Sequence, residues 1–204
     1  MIHRRHGRST VSRIAAVTTL ALAITGCTQL TRSNVSVDYY AIDGKSTAAL
    51  DREIRRKGPR IADGRHAVAV ARIRIQPNVR YSNGTGGCRV ETAKVHVDAR
   101  VTLPRFIGQH RASRQVNEAW NNIDRYTRLH EAVHVEIAFR FAKVMERELL
   151  ALPPKRNCAL AREAASATVG TLLKAHDKAQ KAFDADEQKR FERLARGRRG
   201  NRGT

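Results

Sequence analysis

Acidic residues are scarce in this chain: 19 aspartates and glutamates stand against 39 lysines and arginines, a formal charge of +20. An excess of that size makes anionic surfaces and polymers the natural neighbours. Long hydrophobic runs are missing as well. The uncharged apolar stretch from Ile14 to Ile24 is too short to cross a bilayer as a permanent helix, and no other segment reads as transmembrane. Cysteine is limited to three well-separated residues, which excludes a thiolate zinc site, because such sites need clustered cysteines. No repeat of solenoid length is visible.

What is present begins with an export signal. Arg4, Arg5, Arg8 and Arg13 precede the apolar stretch, which then meets Ile24-Thr25-Gly26-Cys27, small residues before a cysteine as at a lipoprotein cleavage site. Residues 1–26 are therefore expected to be a signal peptide and Cys27 the lipidated mature N-terminus. Residues 27–34 would be a linker tethering the domain to the bacterial cell envelope, facing the periplasm or the exterior. Export also changes the meaning of the charge: anionic lipid or acidic cell-wall polymer replaces nucleic acid as the expected neighbour. With Cys27 carrying lipid, Cys88 and Cys158 are the pair left for a disulfide in an oxidising compartment. Residues 189–204, "KRFERLARGRRGNRGT", hold seven basic residues, one acidic residue and three glycines, and read as a disordered tail able to touch an anionic polymer.

The residues between, 35–188, are enough for one domain with a core. "SVDYYAI" alternates as a strand and ends at Asp43-Gly44, and "STAALDREIRRKGP" reads as a helix from a Ser46 or Thr47 cap to Gly58-Pro59. His66 to Ile75 alternates as a second strand stopped by Pro77. A loop "SNGTGGC" follows, then a third strand from Val95 to Leu103 closed by Pro104. After residue 112 the period changes to three and four. Trp120, Ile123, Thr127, His130, His134, Ile137, Phe141 and Val144 form the inward stripe of one long helix or two abutting ones, with Leu129 and Val133 giving a second apolar edge. Pro153-Pro154 ends that helix, and another runs from about Asn157 toward Glu187, with Gly170 as a possible bend. The expected fold class is α+β: a small, mostly antiparallel sheet followed by a long helical hairpin.

Within the first long helix lies "RLHEAVHVEI". Residues four apart project from one helical face, so the imidazoles of His130 and His134 can both reach one zinc ion at about 2 Å, with Glu131 turned toward its water. Both histidines occupy positions of the buried stripe, where an unpartnered imidazole costs free energy. A carboxylate in that place can act as the general base in hydrolysis. The longer HExxHxxGxxH pattern is absent, because Ile137 stands where its glycine would be, so a third ligand must come from elsewhere. A level hairpin about Pro153-Pro154 places Asp177 opposite His130 and Leu173 opposite His134. His176 is then the geometric choice, with Asp177 beside it and Asp184 further along. Tyr126, one turn before His130, is a candidate oxyanion donor although it reads more simply as core. A substrate backbone could pair with an edge strand such as Val95 to Leu103.

The blocks "YYAIDGKS", "CRVETAKVHVDARVTLP", "HEAVH" and "FDADE", in that order across most of residues 37–188, resemble the bacterial domain-of-unknown-function 922 family, described as predicted secreted zinc-dependent proteases. The resemblance implies a zincin-like fold, carries over His130, Glu131 and His134, and matches Cys88 and Cys158 to family positions. It also implies Asp184 of the "FD" block as third ligand rather than His176. Some members follow that block with a His-Gly pair, where this chain reads "EQKRF". The expectation is an envelope lipoprotein with a zinc-dependent peptidase domain acting on a peptide or protein substrate. The competing class is a non-catalytic binding lipoprotein that contacts anionic cell-wall or membrane polymers.

Overall fold

A computed structural model describes residues 33–61 and 64–200, with side chains as far as residue 193. The expected signal peptide and Cys27 lie outside the described residues, as do nearly all of the linker and the last four residues of the tail.

The order of elements is β1 (Ser33–Ile42), α1 (Thr47–Lys57), β2 (Val70–Gly84), β3 (Gly87–Phe106), α2 (Arg114–Leu150) and α3 (Cys158–Gly200). Each helix starts where a short polar side chain can satisfy a free amide of its first turn. Ser46 accepts from the Ala49 N–H, Ser113 from the Val116 N–H and Asn157 from the Leu160 N–H. The class is α+β, as expected, but the sheet is mixed. Its order is β1-β3-β2, with β2 antiparallel to β3 and β1 parallel to it. The alternation of "SVDYYAI" is the same for either direction of pairing, so local pattern could not reveal the parallel neighbour.

Strand β2 also runs further than expected. Pro77 does not stop it, because β2 is an edge strand and a proline lacking its N–H is tolerated there. The glycine-rich loop shrinks to Thr85-Gly86, and Gly87 turns the corner at φ +95°. Strand β3 is central, so the proposed pairing of a substrate with Val95 to Leu103 is excluded: both its edges are taken, by β1 and by β2. Among the described residues the sheet edges are β1 and β2.

One face of β3 (Val90, Ala93, Val95, Val97) packs on Ala138, Ala142, Met145 and Leu149 of α2, with Ala165 of α3 completing the cluster. Small residues let helix and sheet approach closely, and the burial of this layer is the main stabilising term. Leu129 and Val133 are exposed rather than covered, so α2 is enclosed by the sheet and by α3 but not on that third side. Helix α3 passes unbroken through Gly170 and continues over 189–200, the basic segment expected to be a disordered tail. Lys, Arg, Glu, Leu and Ala favour helix, and pairs such as Arg190–Glu187 lie at helical spacing. Among the described residues no helix is long and apolar enough to cross a membrane.

The α2–α3 connection is fastened to the β-hairpin. Cys88 and Lys155 exchange two backbone hydrogen bonds of 2.7 and 2.8 Å, a Cβ on Gly87 would meet the Lys155 carbonyl oxygen at 2.4 Å, and Cys88 is disulfide-bonded to Cys158. The bond spans 70 residues of sequence. On the chain-entropy view such a cross-link stabilises by about 4 kcal/mol. Urea unfolding with and without reductant should therefore show a clearly lower midpoint for the reduced chain; coincident curves would contradict this role for the bond.

Candidate metal centre

Helix α2 is wedged between two layers, and its motif uses both. Successive residues on a helix point about 100° apart, so Glu131 faces the sheet side and is buried, whereas His130 and His134 face α3. From α3, Asp184 comes to meet them. His130 Nε2 and His134 Nε2 are 3.1 Å apart, and Asp184 Oδ1 lies 3.3 Å from the first and 3.0 Å from the second. These three are the described residues whose ligand atoms converge as a metal site would require.

The hydrogen bonds around this triangle fix what its atoms can do. Gln180 donates from Nε2 to the His134 carbonyl oxygen at 3.0 Å, an atom that can only accept. Its Oε1 therefore faces His134 Nδ1 at 2.5 Å, and that nitrogen must carry the proton and donate. His134 Nε2 is left with a bare lone pair. On His130, Nδ1 lies 3.2 Å from the Tyr126 hydroxyl, whose own proton is donated to Glu187 Oε2 at 3.0 Å. The tyrosine oxygen thus accepts from His130 Nδ1–H, and His130 Nε2 is likewise bare. The ionised Asp184 carboxylate accepts only. Three acceptors within 3.3 Å of one another repel unless something positive lies between them. One proton can bridge two of the three at a time, whereas one cation satisfies all three.

The distances fit zinc. Ligand atoms about 2.0–2.2 Å from a tetrahedral ion are roughly 3.3–3.6 Å from each other, close to the 3.0–3.3 Å found here. Two imidazoles and one carboxylate are a donor set of the kind that leaves a fourth position open. Phe183 covers the imidazoles from α3, with ring centroids 4.8 Å from His130 and 5.1 Å from His134, while Asp184 is 55% exposed and opens the site to solvent. Burial raises the Glu131 carboxyl pKa above its ordinary value, against the opposing effect of His134. Burial likewise lowers the His130 pKa, helped by the nearby His134. The Tyr126 hydroxyl is pushed up to about 12 by burial and by its bond to Glu187.

His176, the geometric choice from sequence, is not brought to the triangle. It is buried against Phe141, and its Nε2 accepts from Gln180 Nε2 at 2.8 Å. It fixes the amide that fixes His134. Asp177 lies beside it on the surface side, 3.5 Å from Nδ1. The hairpin is staggered rather than level, because the connection travels on to pair Lys155 with Cys88 before α3 begins. Residues later in α3 than a level hairpin would give therefore face the histidines. Gln180 and Glu187 were not anticipated. Their signal was present in the spacing 176-180-184-187, a polar stripe at helical period on the inward face of α3.

Two measurements test this arrangement. Asp184→Asn should weaken zinc binding, measured by chelator competition, and His176→Ala should leave the stoichiometry at one ion. Gln180→Leu, which frees the His134 tautomer, should cost roughly 10–100-fold in zinc affinity; an unchanged affinity would show that the amide does not orient the ligand.

Over residues 37–192 the chain matches the profile of a family described as bacterial protein of unknown function (DUF922). No curated protein and no solved structure matches it.

Proposed function

We propose that this chain, which belongs to the DUF922 family of bacterial proteins, is a zinc-dependent hydrolase of peptide bonds. The observation that carries the reading is the triangle of three acceptors from His130, His134 and Asp184, with both imidazoles held with a lone pair inward and no donor among the three. Those three residues would hold the ion. Zinc bound there supplies Lewis acidity, lowering the pKa of a water toward 7 and polarising a carbonyl.

Glu131 is the general base. Its carboxyl, raised in pKa by burial, takes a proton from the attacking water and returns it to the departing amine. The His134 imidazole and the Ala71 backbone of β2 oppose that rise. Tyr126 serves as a positioning residue: its proton is committed to Glu187, so it orients His130 rather than donating to an oxyanion. Peptide or protein is the substrate class, because a cleft of about 560 Å³ leads along Val68 and Ala69 to His130 and Glu131. That is room for a residue of an extended chain. In this reading Cys27 anchors the domain by lipid to the cell envelope.

The second reading, a binding lipoprotein, is favoured by the uncovered face of the sheet. Arg72, Arg74, Arg80 and Lys94 stand exposed there, and Arg72 lies directly opposite Arg100, which is ion-paired with Asp38 at 3.7 Å. Comparing wild type with Glu131→Gln separates the two. A peptidase keeps one zinc per chain in the variant and loses roughly 10²–10⁴-fold in hydrolysis of a casein or peptide-library substrate. A zinc-loaded wild type that hydrolyses nothing, with polyanion binding indifferent to the substitution, would favour the binding module.

A further inference from the structure

Large apolar side chains left in solvent are ordinary when scattered, but here several gather in one concavity. Val68 is 38% exposed, Ile123 38% and Phe191 44%, and they come from the segment before β2, from α2 and from α3. Together with Ile54 of α1 they line the cleft of about 560 Å³ whose wall also contains His130 and Glu131. Four separate parts of the chain thus contribute apolar surface to the space beside the proposed base.

The charges are arranged to match. Among the described residues no lysine or arginine lines this cleft. An acidic side chain would find no unpaired cation in the described lining. The one carboxylate besides Glu131 is Asp51, and it is already paired at 2.8 Å with Arg55 one turn on. A basic side chain would have to displace that guanidinium and leave its own charge among Ile54, Val68 and Ile123, which burial penalises.

We propose that this cleft is a specificity subsite that takes one large apolar side chain, aromatic or long aliphatic, from an extended polypeptide bound beside Glu131. The proposal rests on the hydrolase reading for its meaning in turnover, but the binding it requires is independent of chemistry. The occupant is a side chain rather than a folded partner, because the cleft ends at His130 and Glu131 and so continues directly into the reactive site. Its volume lies within the range of small-ligand pockets, with room for the side chain and part of its backbone.

The test uses the full chain in two measurements. In the first, N-acetyl-phenylalanine amide, N-acetyl-leucine amide and N-acetyl-alanine amide are titrated into the protein while methyl NMR signals of Val68 and Ile123 are followed. The first two should shift these methyls and the alanine amide should not. In the second, zinc-loaded protein is given peptides differing at one position, and Phe or Leu should exceed Ala, Asp and Lys by roughly 10–200-fold in kcat/KM. Ile123→Trp, which fills open space, should reduce both the methyl shifts and the preference. Phe191→Ala, an independent change on another element, should also weaken binding of the phenylalanine amide. Equal responses to phenylalanine and alanine amides, or hydrolysis that prefers Asp or Lys, would overturn the subsite and leave the hydrolase reading standing. Selective binding of the phenylalanine amide without any hydrolysis would support the subsite and remove the hydrolase.

Discussion

The position of α3 depends on one fastening. Lys155 is paired through its backbone to Cys88 at the start of β3, and Cys158 is bonded to the same cysteine as α3 begins. Helix α2 is set by its own packing on the sheet, through Ala138, Ala142, Met145 and Leu149. The fastening therefore decides how far α3 has advanced by the time it passes the histidines of α2. A connection that turned back about Pro153-Pro154 would bring the region of His176 and Asp177 level with His130. The detour to Cys88 brings Gln180, Asp184 and Glu187 instead. A covalent bond and two hydrogen bonds far along the helices from the candidate metal centre thus select which side chains of α3 face the histidines.

The same fact explains what was legible from sequence and what was not. His130, Glu131 and His134 could be assigned because their relation is set within one helix, by 3.6 residues per turn, and needs no tertiary knowledge. The third member could not be derived from helix periodicity, since His176 and Asp184 are two turns apart on the same face and both satisfy it. Only the stagger between helices distinguishes them, and stagger is set by the path of a connection that pattern reading treats as a simple turn. The resemblance of the "FDADE" block pointed to Asp184 because it carried tertiary information that spacing lacks. The sheet shows the same division. Alternation in β3 identified a strand and its buried face, but neighbour and direction were set by the chain path: β1 lies parallel to β3, and Pro77 is accommodated at an edge that only the strand order reveals.

The polar residues buried between α2 and α3 form two short chains, and each ends by turning a histidine the same way. His176 accepts from Gln180, which accepts from His134; Glu187 accepts from Tyr126, which accepts from His130. An amide placed to donate to a helix carbonyl has no freedom to exchange its oxygen and nitrogen, so His134 is determined by geometry alone. His130 is determined instead by a carboxylate acting through a hydroxyl. A pair of core histidines needs nothing of this kind, because either tautomer of a simply buried imidazole can be satisfied. Two independent arrangements that both leave Nε2 bare are what a metal site requires of its surroundings.

Glu131 stands one residue along α2 from His130, on the flank between the histidines and the sheet, and shares a cleft wall with His130. Were it turned toward α3 with the histidines, it would join Asp184 as a second carboxylate at the triangle and change the donor set. One residue along the helix, it is turned instead toward the sheet, where burial raises its pKa against the opposing effects of His134 and the Ala71 backbone. Glu131 is thus placed in buried surroundings, and Asp184 is left half in water. Two carboxylates are sorted into different surroundings by which layer each one faces. That sorting requires a helix packed on both flanks at once, with the sheet buried behind Glu131 and α3 crossing the histidines, and the α+β arrangement of this chain supplies both.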